Sequence, residues 1–168
     1  MELAELAVKK ALGFGATEAE AYVQKVKRLW IEFADKIDSF KIIESIGMGL
    51  RVAVNKKLAI HSTSILSERE VEEAAEKAVK IAKVALEDPY WKHLNKEFGK
   101  SPVQGYFDDK LEAIEYGEII EKISAAIDKM KEYDNRVKPT RGMLTASISN
   151  TTIPVSYTHL TLPTKRIV

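Results

Sequence analysis

An α+β domain is what the sequence predicts: two layers, with a curved antiparallel or mixed sheet and helices packed mainly on one face. Three observations lead there. Apolar spacing is helical at the N-terminus, alternates with period two through residues 22–60, returns to helical spacing over two long segments, and ends on another alternating stretch. The strands therefore come as a run, without the regular strand–helix alternation of a doubly wound fold. The long helical segments also carry one-sided apolar stripes, suited to covering a single sheet face.

Each element has its own justification. Leu3, Leu6, Ala7 and Ala11 share one helical face over Glu2 to Leu12, and Gly13 follows where a helix end favours glycine. From Tyr22 through Val26, Leu29, Ile31 and Phe33, alternation predicts two strands, and a third is expected around Phe40 to Glu44. "GMGLRVAVNKKLAIHSTS" predicts a hairpin that turns at Asn55-Lys56, with Leu50, Val52 and Val54 on one face and Leu58 and Ile60 returning. Ser67 and Glu70 fit a capping box, and Leu66 with Val71 fits a hydrophobic staple. The helix they open carries Val71, Ala74, Ala75, Ala78, Ile81, Ala82 and Ala85 as its stripe and stops at Asp88-Pro89. A loop from Pro89 to Asp109 holds Trp91. A third helix, from about Ile114 to Tyr133, turns Ile119, Ile120, Ile123, Ile127 and Met130 inward, and Leu144, Ala146 and Ile148 predict a closing strand.

Composition narrows the function. With 168 residues, 45% hydrophobic and 30% charged, the chain suits one globular domain better than two. Its net charge of +1 supplies no electrostatic basis for a nucleic-acid partner. The absence of cysteine excludes a disulfide framework and thiolate metal ligation, as in a reducing compartment. No apolar run reaches the roughly 20 residues of a membrane span, and the amphipathic start differs from a signal peptide, so a cytoplasmic protein without a membrane partner is expected.

No residue qualifies as catalytic, cofactor-binding or metal-ligating. His61, His93 and His159 lie far apart in sequence, whereas a helical zinc site places two imidazoles one turn apart beside a carboxylate. His61 is expected on a solvent-facing strand position. Gly13-Phe14-Gly15 and Gly47-Met48-Gly49 lack the third glycine and the strand-to-helix context of a phosphate loop, and fit turns. Glu68, Glu70, Glu72, Glu73 and Glu76 fit a capped, solvated helix face. Lys25, Lys27 and Arg28 are offset by Glu20, Glu32 and Asp35. Trp30 is expected in core or interface, and Trp91 as an exposed aromatic.

The order and wording of "GATEAEAYVQK", "IESIGMGLRVAVNKK" and "STSILSEREVEEAAEKAVKIAK" running into "EDPY" resemble the N-terminal domain of the TldD/PmbA proteins. The resemblance rests on Gly15-Ala16 with Glu20, on Gly47-Met48-Gly49-Leu50-Arg51, and on Ser62-Thr63-Ser64 leading to Ser67. It covers most of Leu3 to Asn150. "ISNT" at Ile148 to Thr151 is similar to the start of the family's next segment, after which Thr152 and Ile153 depart from it. Ala59 and His61 depart from the glycine and small residue common after the family's hairpin turn.

The resemblance implies a metal-dependent peptidase family whose TldD-type members carry a His-Glu-x-x-x-His zinc motif in a later portion. PmbA-type members generally lack that motif. It also implies pairing with a TldD/PmbA-type subunit, as homo- or heterodimer, around a chamber that peptides enter. No cofactor is expected in this stretch itself. Residues 1–154 are then the family's N-terminal domain, with the catalytic portion missing. Residues 155–168, "VSYTHLTLPTKRIV", resemble translated sequencing-adaptor read-through and are expected to be an artefactual tail; their other reading is a Thr-rich final strand. Two functions follow: a non-catalytic N-terminal domain of a truncated peptidase, or a stand-alone module that binds protein or peptide by strand addition.

Overall fold

The structure is a computed structural model and describes residues 2–96, 103, 105, 108–134, 136–157 and 164–167. Its elements are α1 (Glu2–Gly13), β1 (Glu18–Phe33), β2 (Ile37–Val54), β3 (Lys57–Thr63), α2 (Glu68–Val84), α3 (Asp109–Glu112), α4 (Tyr116–Tyr133), β4 (Gly142–Thr152) and β5 (Thr164–Ile167). The strands form one open sheet in the order β3-β2-β1-β4-β5, and the class is α+β with antiparallel pairing, as expected. The chain divides into two compact units: Met1–Lys25, Ser45–Pro102 and Asn150–Thr164 in the first, Val26–Glu44, Val103–Ser149 and Lys165–Val168 in the second.

The first unit is built on alanine. Ala4, Ala7, Val8 and Ala11 of α1 are buried in one cluster with Val71, Ala74, Ala75, Ala78, Val79 and Ala82 of α2, and with Met48, Leu50 and Val52 of β2. Small side chains on both helices let their axes approach closely. Leu3 and Leu6 flank this face instead of forming it. Helix α2 starts as expected: Ser67 is extended (φ −116, ψ 157) and its hydroxyl accepts from the Glu70 amide at 3.3 Å. Its stripe is rotated from the expected one, for Val79 is 1% exposed and Ile81 is 47% exposed. The two flank the alanine row on opposite sides, and the helix leans toward Val79.

The β2–β3 hairpin turns at Asn55-Lys56, with Asn55 at φ 56, a left-handed conformation that asparagine tolerates better than most residues. Thr17 fixes this turn. Its hydroxyl donates to the Ala53 carbonyl and accepts from the Asn55 amide, both at 3.0 Å. The pairing Val54↔Lys57 then sets Ala59 opposite Val52 and His61 opposite Leu50. Leu58 and Ile60 were expected inward, but strand alternation carries Ile60 to the other face, where it is 70% exposed. His61 is half-buried on the Leu50 side, not solvent-facing.

In the second unit, Leu29 and Ile31 of β1 and Ile119, Ile123 and Ile127 of α4 form the core, with Phe33, Ile37, Ile120, Met130, Leu144 and Ala146 around it. The expected short strands are in fact two long ones joined at 34–36. The charged middle of β1, Lys25 to Arg28, resembles a break in a pattern of burial, yet backbone pairing needs no buried side chain at each position. Helix α4 begins at Tyr116, two residues later than expected, because Glu115 is extended (φ −76, ψ 140). Gly142 of β4 lies beneath the Phe33 ring, which occupies the space a Cβ would need. Arg141 bonds Glu32 at 3.2 Å nearby, and the guanidinium holds that carboxyl below its usual range, with Ser39 adding a second hydrogen bond.

Candidate functional site

Three features stand out as places where this chain could act, and each can be built from its residues. In the second unit an apolar groove of about 820 Å³ opens between the start of α4 and the sheet, a size suited to a small ligand or a few peptide side chains. Leu29, Ile119, Leu144, Ala146 and Ile148 form its walls, and Lys27 and Lys122 stand on it. Lys27 lies 5.2 Å from the Tyr116 ring centroid and 3.8 Å from Glu44. The Tyr116 side chain, and behind it Glu44, hold the Lys27 ammonium above the usual lysine range. Apolar walls with two lysine ammoniums beside them suit the groove to binding.

In the first unit, Glu18 is buried at the start of β1 and works as a clasp. One carboxylate oxygen accepts from the Leu94 amide at 2.6 Å, and the other accepts from the Tyr157 hydroxyl. Both partners come from segments distant in sequence. The Lys96 ammonium lies 4.5 Å from the Tyr157 ring centroid. The neighbouring backbone is stitched along β1: the Ala21 amide donates to the Pro154 carbonyl at 3.0 Å, and the Ser156 amide to the Ala19 carbonyl at 2.8 Å.

The clasp should report itself through pH. Hydrogen bonding to Glu18 favours the neutral phenol and pushes Tyr157 up from 10.0 to about 12. Because the folded value lies above the unfolded one, the contribution is complete below about pH 10 and is lost as pH rises through about 12. Urea midpoints measured between pH 8 and 12 should therefore fall more steeply for the wild type than for Tyr157→Phe. Identical slopes for the two proteins in the upper half of that range would show that the phenol is not held this way.

The third feature is an uncovered stretch of β2. Pairing to β3 begins at Met48, opposite Thr63 at the end of β3, and among the described residues no strand lies beyond Ile37–Gly47 on that side. Phe40, Ile42, Ile43 and Ile46 are each 37–48% exposed there.

The residues weighed from sequence are dispersed. His61 is on β3, His93 is exposed with its Nδ1 2.6 Å from the Leu94 carbonyl, and His159 lies outside the described residues. No group of three His, Cys, Asp or Glu side chains suitable for a metal occurs among the described residues. Glu72, Glu73 and Glu76 are ion-paired with Lys10, Arg69 and Lys80 on the outer surface of α2. Gly13 ends α1, while Gly47 and Gly49 lie within β2. Trp91 is half-buried, contrary to expectation; the exposed aromatic is its neighbour Tyr90, at 89%. Glu18 and Tyr157 were not singled out from sequence, since only the fold brings them together. No helix among the described residues is long and apolar enough to cross a membrane.

Residues 19–82, which span most of β1 through nearly all of α2, match the family model for PmbA/TldA metallopeptidase domain 1. Among curated proteins nothing matches. Several solved structures are similar in fold. TldE from Thermococcus kodakarensis superposes with a TM-score of 0.80 at 19% identity over 98% of this chain and 36% of its own. A candidate modulator of DNA gyrase from Bacteroides thetaiotaomicron gives 0.81 at 16% identity over 99% of this chain and 38% of its own. The chain thus spans little more than a third of the length of either.

Proposed function

Because the chain carries the N-terminal domain of the TldD/PmbA family, we propose that it serves as the non-catalytic N-terminal part of a TldD/PmbA-type metallopeptidase. In that role it helps enclose the chamber in which peptides are degraded or processed, and it supports pairing with a second family subunit. The observation that carries this reading is the match over 19–82, which runs from β1 through the β2–β3 hairpin into α2 and so takes in parts of both units. On this view residues 1–154 form the family domain and 155–168 are foreign to it in origin, although in this chain Val155 is buried and Ser156 and Tyr157 bond to β1. A TldD-type parent would hold its zinc on a His-Glu-x-x-x-His motif in another portion of the protein, whereas a PmbA-type parent would lack that motif. The parent works in the cytoplasm.

The chain by itself should then cleave no peptide and bind zinc only weakly. A catalytic zinc needs three protein ligands around one open position, and no such set occurs among the described residues. Peptide cleavage with added zinc, with and without a chelator, and a calorimetric zinc titration test this together. Chelator-sensitive cleavage, or tight stoichiometric binding, would overturn the reading. A second reading is favoured by one observation: the uncovered stretch of β2 could accept an extended peptide by strand addition, making the chain a stand-alone binding module.

A further inference from the structure

We propose that the uncovered edge of β2 pairs, antiparallel and about a twofold axis, with the same edge of a second copy, with Ile43 of each copy across from the other. The inference deepens the subunit-pairing reading and rests on it. An edge of this length presents unpaired backbone donors and acceptors, the template on which another strand assembles. Asp38, Lys41 and Glu44 are the charges on it, and they limit which registers a partner can take.

Symmetry limits them further. A twofold axis normal to the sheet keeps each side chain on its own face, and directly opposed residues must share a face. Paired positions must therefore be both odd or both even. If Lys41 faces its own copy, Asp38 faces Glu44, and both contacts join like charges. If Ile42 faces its copy, Phe40 opposes Glu44. If Ile43 faces its copy, Phe40 opposes Ile46 on both sides of the axis, Lys41 opposes Ser45, Ile42 opposes Glu44, and no like charges meet, so three of the four exposed apolar residues find apolar partners. This last register uses the exposed apolar residues best, setting an aromatic against a β-branched side chain twice. An unrelated peptide would have to supply that pattern, whereas a second copy already has it.

The chain contains no cysteine, so a single introduced thiol is unique. Under mild oxidation Ile43→Cys should form a disulfide-linked dimer at least tenfold faster than Lys41→Cys. In the proposed register the two thiols introduced by Lys41→Cys are four residues out of step, roughly 13 Å apart at strand rise, beyond disulfide reach. In sedimentation the unmodified chain should dimerise, and Ile43→Lys, which sets like charges across the axis, should shift it to monomer with an unchanged circular-dichroism spectrum. Equal cross-linking by the two cysteine variants would overturn the proposal. A dimer that shows no preference for Ile43→Cys, and that survives Ile43→Lys, would overturn this interface while leaving subunit pairing intact. A chain monomeric at all accessible concentrations would overturn the interface as well.

Discussion

Ile123→Asp should leave the second unit unfolded. Ile123 is 4% exposed at the middle of the α4 face, one turn from both Ile119 and Ile127, and these three with Leu29 and Ile31 are the buried residues of that core. Truncating such a residue to alanine costs about 2–5 kcal/mol. Aspartate loses that packing and also places a carboxylate among aliphatic side chains that offer it no hydrogen bond, a penalty that adds several kcal/mol more or forces protonation. Against a typical whole-domain stability of about 5–15 kcal/mol, a core of five residues has little reserve. The expected result is loss of amide protection across α4 and β4 in hydrogen exchange. Ile123→Val, which keeps the shape, should cost only about 0.5–1.5 kcal/mol. If Ile123→Asp melts at the wild-type temperature, the inward face of α4 has been misassigned.

That face was legible in the sequence because isoleucines recur at helical spacing in a polar background. The start of α2 was legible for a similar reason, since Ser67 satisfies a backbone amide locally and needs nothing distant. Where the sequence misled, the deciding contact lay elsewhere in the chain. Ile60 has the stronger apolar character, yet Ala59 faces the core, because the turn at Asn55 fixes the pairing partners and alternation does the rest. The unbroken course of β1 could not be read through Lys25 to Arg28, where burial lapses while backbone pairing continues. The Glu18 clasp joins residues 18, 94 and 157, and no local spacing announces it. Of the candidate functional features, the exposed isoleucines of β2 were visible as residues. Their significance depends on β3 ending opposite Met48, a fact of register alone.

Ala78→Phe should be the most damaging change in the first unit, and it tests how α2 is rotated. Ala74, Ala75, Ala78 and Ala82 are 0–3% exposed, and they share a core with Ala4, Ala7 and Ala11 of α1, which are 0–1% exposed. A core this rich in alanine, closed by Met48, Leu50 and Val52 of β2, leaves little room to accommodate a ring. Overpacking a close-packed interior typically costs about 1–3 kcal/mol, and this site should lie at or above the top of that range because relief requires the helices to separate. The expected sign is a lower urea midpoint accompanied by early loss of protection in α1. Helical periodicity by itself puts Ile81 in the buried stripe beside Ala78. In the structure Ile81 is 47% exposed, so Ile81→Asp should change stability far less than Ala78→Phe. Measuring both in urea sets the two rotations against each other: a larger loss from Ile81→Asp than from Ala78→Phe would mean that α2 turns its isoleucine inward and that the alanine row is not its contact with α1.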